Sequence, residues 1–159
     1  MTAIALAVAG LALGSPELGP AWAEFSRGAG LRQSLERVEV GTLGHGRGET
    51  HYWLRRTVRE GGRETVSWTD TRICPAARSV LAGMSAIGMN AAPHGSGEGA
   101  AIILHGVHYA LRAPARSGAQ HGEMIVRSNV DSPLSRWGAA SFSSLRSCWT
   151  QDTPQPVGP

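Results

Sequence analysis

Alternation of apolar and polar side chains, in segments separated by glycine turns, is the feature that most constrains this fold. Ser34 to Leu43 places Val38 and Val40 on one face and charged residues on the other. A period of two is typical of a β-strand with one buried face. Strands that are joined by short turns pair antiparallel, so the pattern predicts an antiparallel sheet.

Two further strands are predicted at Glu49 to Arg59 and at Glu64 to Thr71, with the Gly61-Gly62 turn between them. The turn length sets the register. A two-residue loop places Val58 opposite Thr65, whereas a loop extended by one residue places it opposite Val66. A slip of one residue exchanges the two faces of a strand. We predict the longer loop, because it brings two valines together.

The second half of the chain predicts another strand pair and two helices. The strands are Ala100 to Arg112, with a bulge at Gly106 where the apolar parity changes, and Glu123 to Val130. One helix begins at Cys74-Pro75 and the other at Ser132-Pro133, since proline suits the first helical position and serine caps a helix. The helical apolar stripes comprise Ala77, Val80, Leu81, Met84 and Ile87 in the first helix, and Leu134, Trp137, Ser141, Leu145 and Cys148 in the second.

The predicted fold is therefore α+β, in the order β-β-β-α-β-β-α, with about five antiparallel strands and both helices on one face. Cys74 lies at the start of the first helix and Cys148 at the end of the second. A bridge between them requires the helices to run antiparallel. It would close a loop of about 75 residues, which the chain-entropy model values at roughly 4–5 kcal/mol.

The N-terminal segment indicates export. Ala3 to Leu13 is apolar throughout but shorter than the ~20 residues of a membrane-spanning helix, so no transmembrane segment is predicted. Ala21-Trp22-Ala23 fits the small-x-small cleavage rule, although no basic residue precedes the apolar run. We predict a signal peptide at 1–23, one domain at 24–149, a disordered proline-rich tail at 150–159, and a periplasmic or secreted location. An oxidising compartment favours the Cys74–Cys148 disulfide.

The charge pattern argues against nucleic acid as a partner. All 15 basic residues are arginine, and they are spread along the chain instead of forming one patch. The alternation leaves several of them on the sheet face turned away from the helices. Guanidinium groups match carboxylates and phosphates, so this face is a candidate anion-binding surface. Its predicted residues are Arg55, Arg59, Arg112, Arg127, Trp53 and His108.

An alternative is a metal-dependent hydrolase that uses the histidines of the second strand pair. His105, His108, His121 and Glu123 are the candidate ligands, because zinc needs three or four N, S or O donors converging at about 2 Å. Residues three apart on a strand point to opposite faces, so His105 and His108 converge only across a bulge at Gly106. No catalytic set is otherwise evident and no cofactor is predicted.

We therefore predict a non-enzymatic binding or protein-interaction module. Its expected partner is an acidic protein or an anionic envelope component, held by the arginine-bearing sheet face.

Overall fold

The computed structural model describes residues 18–29, 34–46, 48–85, 87, 106–117, 119–129 and 132–157. Within these residues, six strands form one antiparallel sheet and two helices cover one of its faces. The elements are β1 (Ala21–Ala29), β2 (Ser34–Gly46), β3 (Glu49–Glu60), β4 (Arg63–Asp70), α1 (Pro75–Met84), β5 (Val107–Ser117), β6 (Gln120–Ser128) and α2 (Pro133–Ser144).

The strand order in the sheet is β4-β3-β2-β1-β5-β6, so the first strand of the chain is an interior one. The sequence predicted about five strands and assigned part of β1 to a leader. The extra strand is β1, which pairs with β2 on one side and with β5 on the other. The α+β class, the antiparallel sheet and the two helices agree with the prediction.

The core lies between the helices and the sheet face that carries Phe25, Val38 and Leu111, which is called the inner face below. Phe25 makes edge-to-face contacts with Trp137 and Phe142 of α2, with ring centroids 5.1 and 5.3 Å apart. Aromatic pairs in this geometry stabilise a core by about 0.5–1.5 kcal/mol beyond their area burial. The predicted inward valines of β2 are fully buried here.

The helices run antiparallel, as the predicted disulfide required. Cys74 and Cys148 are bonded, with their Cα atoms 5.6 Å apart, which joins the start of α1 to the chain just after α2. At the other end of the pair, Trp137 Nε1 near the start of α2 donates to the Val80 carbonyl of α1 at 3.3 Å. The predicted cap of α2 is also present, because the Ser132 hydroxyl accepts from the Ser135 amide.

The register of the β3–β4 pair, which the Gly61-Gly62 turn joins, differs from the prediction. Glu60 pairs with Arg63 and Val58 lies opposite Thr65, so the loop has two residues. Gly61 and Gly62 have φ angles of +55° and +78°, the left-handed values that a tight primed hairpin turn requires. The prediction that Val58 faces Val66 is wrong, because turn geometry outweighs one apolar pair.

The later strands differ from the predicted ones at their ends. The predicted strand from Ala100 corresponds to β5, which begins at Val107; residues 100–105 lie outside the described residues. β6 begins at Gln120 instead of Glu123. Met124 and Val126 pack against the core, as their parity predicted.

The predicted cleavage site lies inside β1. Ala23 pairs with Val40 and is 0% exposed, and Phe25 beside it is among the largest buried side chains. Cutting after Ala23 would therefore remove a core residue and shorten an interior strand of the sheet.

The C-terminal tail contacts the sheet at several points, whereas its proline content predicted disorder. Thr150 forms a β-bridge with Trp68 of β4. The Val157 amide donates to the Leu43 carbonyl at 3.2 Å, and Pro154 is buried. Proline removes amide donors, but the Thr150 and Val157 amides of this tail still find carbonyl partners on the sheet.

Candidate functional site

The six predicted anion-binding residues all lie on strand positions of one face, the one turned away from the helices. We call this the outer face. The strand register aligns one cross-strand row from β4 to β5 on it, which comprises Trp68, Arg55, Glu39, Glu24 and Arg112. A second row contains Arg59 and His108, and a third contains Arg127. Alternation along each strand therefore predicted the shared face.

Most arginines of the outer face have a carboxylate beside them. The described ion pairs are Arg37–Glu24 at 3.4 Å, Arg55–Glu39 at 3.5 Å, Arg59–Glu64 at 2.7 Å and Arg112–Glu123 at 2.9 Å. Exposed pairs of this kind each add about 0–1 kcal/mol. Their larger effect here is that the middle of the face carries little net charge.

Arg112 shows this balance most directly. Its hydrogen bond to Glu123 raises the pKa of the guanidinium, against a smaller lowering by burial, and the charges of Glu24 and Glu39 raise it further. Arg112 is thus bonded to Glu123 and lies in the electrostatic field of Glu24 and Glu39. A ligand would have to compete with them for this side chain.

Trp53 is on the predicted face but is not available to a ligand, because it is only 5% exposed. Its ring lies on Gly41 of β2, where any Cβ atom would collide with it. It also packs edge-to-face on Trp68, with ring centroids 5.9 Å apart. The absence of a side chain at Gly41 explains why a tryptophan is buried on the outer face.

Arg127 and His108 differ from the other predicted residues. No described residue forms an ion pair or hydrogen bond with Arg127, and both side chains are exposed beside a cavity of about 530 Å³. We call this the Arg127 cavity. Its lining residues are Ser26, Gly28, Ala29, Ser34, Leu35, His108, Tyr109, Ala110, Arg127 and Ser128.

The Arg127 cavity combines apolar walls with donors at one side. Gly28, Ala29 and Leu35 form the apolar part, at the end of the β1–β2 pair. Arg127 presents a fixed fork of N–H donors, the geometry that suits a carboxylate or phosphate. An anionic group with an adjoining apolar part matches this arrangement.

The predicted histidine metal site is not assembled by the part of the chain that the structure describes. His108 faces Gly28, whereas His121 faces Arg116 at the opposite end of the β5–β6 pair. At a strand rise of about 3.3 Å per residue they lie roughly 25 Å apart. The described residues contain no group of three or more potential metal ligands, and His105 lies outside them.

A cluster of three charged residues on the inner face, Glu36, Arg27 and Arg56, was not among the predicted site residues. Glu36 of β2 accepts from Arg27 Nε at 2.7 Å and from Arg56 Nε at 2.6 Å. The two guanidiniums lie over the rings of Phe142 and Trp149. Glu36 shares the parity of Val38 and Val40, which is the one sequence signal that it faces the helices.

A scan against protein-family models, a search of curated proteins and a search of solved structures each found no match to this chain. Neither helix in the described ranges has the length and apolar character needed to cross a membrane.

Proposed function

We propose that this protein is an exported, non-enzymatic interaction module that binds a carboxylate-bearing partner at the Arg127 cavity. The observation that carries the proposal is the contrast within one face. Arg55, Arg59 and Arg112 each have a glutamate, while Arg127 has no carboxylate among the described residues and lines a cavity of about 530 Å³. The proposed anion-binding site is thus only the part of the outer face around the Arg127 cavity.

Hydration explains why Arg127 can bind a ligand carboxylate more readily than Arg55 or Arg112 can. An exposed guanidinium without a partner is fully hydrated and can exchange water for a ligand carboxylate. A hydrogen bond to a charged group contributes about 1.5–3 kcal/mol, more than a neutral one. Arg55 and Arg112 would first have to release Glu39 and Glu123, so they gain less from the same ligand.

The apolar walls favour a partner larger than a free inorganic anion. Leu35 and Ala110 line the cavity beside Arg127, and burying apolar area adds roughly 25 cal/mol per Å². An acidic protein segment offers both a carboxylate and apolar side chains. His108 also lines the cavity, and its ring N–H provides a further donor for the ligand carboxylate.

The proposal is tested by titrating the protein with an acetylated hexaglutamate peptide and following backbone amide shifts. Shifts should concentrate at Ser26, His108 and Arg127, and they should weaken with salt, because exposed charges are screened beyond about 10 Å at 0.1 M. Arg127→Ala should weaken binding about tenfold or more, which corresponds to 1.4 kcal/mol.

Arg59→Ala is the matched control. Arg59 is an exposed arginine on the same face, but Glu64 neutralises it at 2.7 Å. The control should bind the peptide as the unmodified protein does. Equal losses in the Arg59 and Arg127 variants would indicate a general charge effect and contradict a site at the cavity.

Export forms the second part of the proposal, and the disulfide supports it, since such bonds persist in oxidising compartments. Because Ala23 is a core residue of β1, we place processing N-terminal to Ala21, where that strand begins, instead of after Ala23. Intact-mass analysis of protein recovered from the host envelope measures the N-terminus. A mature chain that begins at Glu24 would contradict this placement, and a full-length cytoplasmic species would contradict export.

A further inference from the structure

β6 is an edge strand with features that fit a partner strand. It pairs with β5 on one side, and no residue of the described chain pairs with its other side. An unpaired strand edge presents a row of free amides and carbonyls, which another strand can extend. Ile125 at the middle of β6 is 60% exposed on the outer face.

The sequence of β6 is complementary to itself about Ile125. In an antiparallel pair of two β6 strands centred on this residue, position 123 of one copy lies opposite position 127 of the other. Glu123 therefore faces Arg127 twice, once on each side of the two-fold axis. Met124 and Val126 face each other on the inner face in the same way.

The pairing supplies the carboxylate that Arg127 lacks among the described residues of its own chain. Directly opposite residues of antiparallel strands have Cβ atoms about 4.5–5.5 Å apart, within reach of a guanidinium and a carboxylate. Glu123 already accepts from Arg112 at 2.9 Å and keeps lone pairs for a second donor. Ile125 would meet its own copy between the two ion pairs.

We propose that a second copy of this chain is the partner that β6 takes, so that two sheets join edge to edge around a two-fold axis at Ile125. The inference rests on the proposed function, because Glu123 of the second copy is the carboxylate that Arg127 binds. Symmetric dimers use one self-complementary patch on both subunits, and the Glu123–Ile125–Arg127 pattern is such a patch.

The test uses two charge reversals and their mixture, measured by analytical ultracentrifugation. Glu123→Arg puts two arginines opposite each other in the dimer, and Arg127→Glu puts two glutamates opposite each other. Each variant alone should dissociate on the order of tenfold more readily than the unmodified protein. An equimolar mixture should re-form a dimer, because each reversed residue then meets an opposite charge in the other chain.

Circular dichroism of each variant checks that the monomer folds, and the restoring mixture serves as an internal control for folding. An unmodified protein that stays monomeric at millimolar concentration would overturn the inference. So would a dimer that ignores both reversals, or a mixture that stays monomeric while both variants are folded.

The peptide titration separates this inference from the proposed function. Glu123 does not line the Arg127 cavity, so Glu123→Arg should weaken self-association and still bind hexaglutamate. Arg127→Ala should weaken both. A monomeric unmodified protein that binds the peptide through Arg127 would leave the proposed function standing and remove the dimer. A dimer that responds to the reversals without any peptide binding would remove the wider acidic-partner function.

Discussion

The two edges of the sheet are treated differently by the chain. At the β4 edge, Trp68 donates to the Thr150 carbonyl at 2.8 Å, and Thr150 donates back to Trp68 at 2.9 Å. The disulfide at Cys148 holds this segment two residues earlier in the chain. At the β6 edge, none of the described residues forms such a bridge. One edge is closed by the protein itself, and the other, unpaired within the described residues, is the edge at which we propose that a second copy binds.

A small sheet can be stable and still bind a partner when its two edges differ in this way. Natural sheets protect their edges because free strands aggregate. Here a covalent bond and a short tail protect one edge, and the charge pattern of β6 is the feature that we propose selects a partner at the other.

Removal of the disulfide should have the largest effect. Replacing Cys74 and Cys148 together by serine should lower the free energy of unfolding by roughly 4–5 kcal/mol on the loop-entropy estimate. Denaturant unfolding measures the loss. Because loop entropy acts on the unfolded chain, amide exchange at Leu111 of an interior strand should accelerate together with exchange at Trp68 and Thr150. An acceleration confined to Trp68 and Thr150 would mean that the bridge acts only on the β4 edge.

A methyl group at Gly138 should have the next largest effect. An added Cβ atom would lie 2.6 Å from a ring carbon of Tyr109, so α2 would have to move away from β5. Overpacking of this kind lowers stability by about 1–3 kcal/mol, and thermal unfolding of Gly138→Ala measures it. Ala139→Ser, at an exposed position of the same helix, should change stability by less than about 0.5 kcal/mol.

Opening the closed edge should have a moderate effect. Thr150→Pro removes the amide that donates to Trp68 and should lower stability by about 1 kcal/mol, the usual contribution of one hydrogen bond. Thr150→Ala keeps that amide and is the matched control. If both variants lose the same stability in urea unfolding, the hydroxyl and not the backbone bridge is responsible.

Acid should weaken the β4 edge through Asp70, the last residue of β4, which is 2% exposed. Burial raises the pKa of this carboxyl, but hydrogen bonds and the charge of Arg72, with the Ile73 amide, outweigh burial and lower the pKa below its ordinary 3.8. The stabilisation is therefore fully present well above pH 3.8 and is lost as the pH falls through the lowered value.

Asp70→Asn is the reference for this prediction. Its stability deficit against the unmodified protein should be constant near neutral pH and should shrink below pH 4. A deficit that grows on acidification would show that the pKa is raised in the folded state.

The smallest stability effect should come from the open edge. Ile125→Lys places a charge on a residue that is 60% exposed, so monomer stability should change by less than about 0.5 kcal/mol. The same change should abolish the edge-to-edge dimer. Ile73→Lys, at a 61% exposed isoleucine outside the sheet, should leave the dimer intact. Loss of the dimer in both variants would point to non-specific apolar association.

Periodicity along each strand predicted much of the fold because it is a local property. Val38, Val40, Met124 and Val126 have the parity that the sequence indicated, since neighbouring side chains of a strand alternate whatever the strand pairs with. The same rule placed the candidate arginines on one face.

The glycine-turn register and the first strand were not predictable in this way. The left-handed φ angles of Gly61 and Gly62 set the hairpin register, and a valine pair was a weaker guide. β1 follows an apolar run and contains a small-x-small motif, so its sequence is typical of a leader. Its role depends on β2 and β5, which lie on either side of it in the sheet.

The fold class and the shared face of the candidate arginines could be predicted from the sequence, because both depend on alternation along the chain, and the disulfide partners because the chain has only two cysteines. Which arginine has no carboxylate among the described residues depends on how the strands pair. Arg55 meets Glu39 and Arg112 meets Glu123 because the neighbouring strands of each pair align in one register, which the turns and the core packing set. Charge pairing is a contact between strands, so no pattern within one strand distinguishes Arg127 from Arg59.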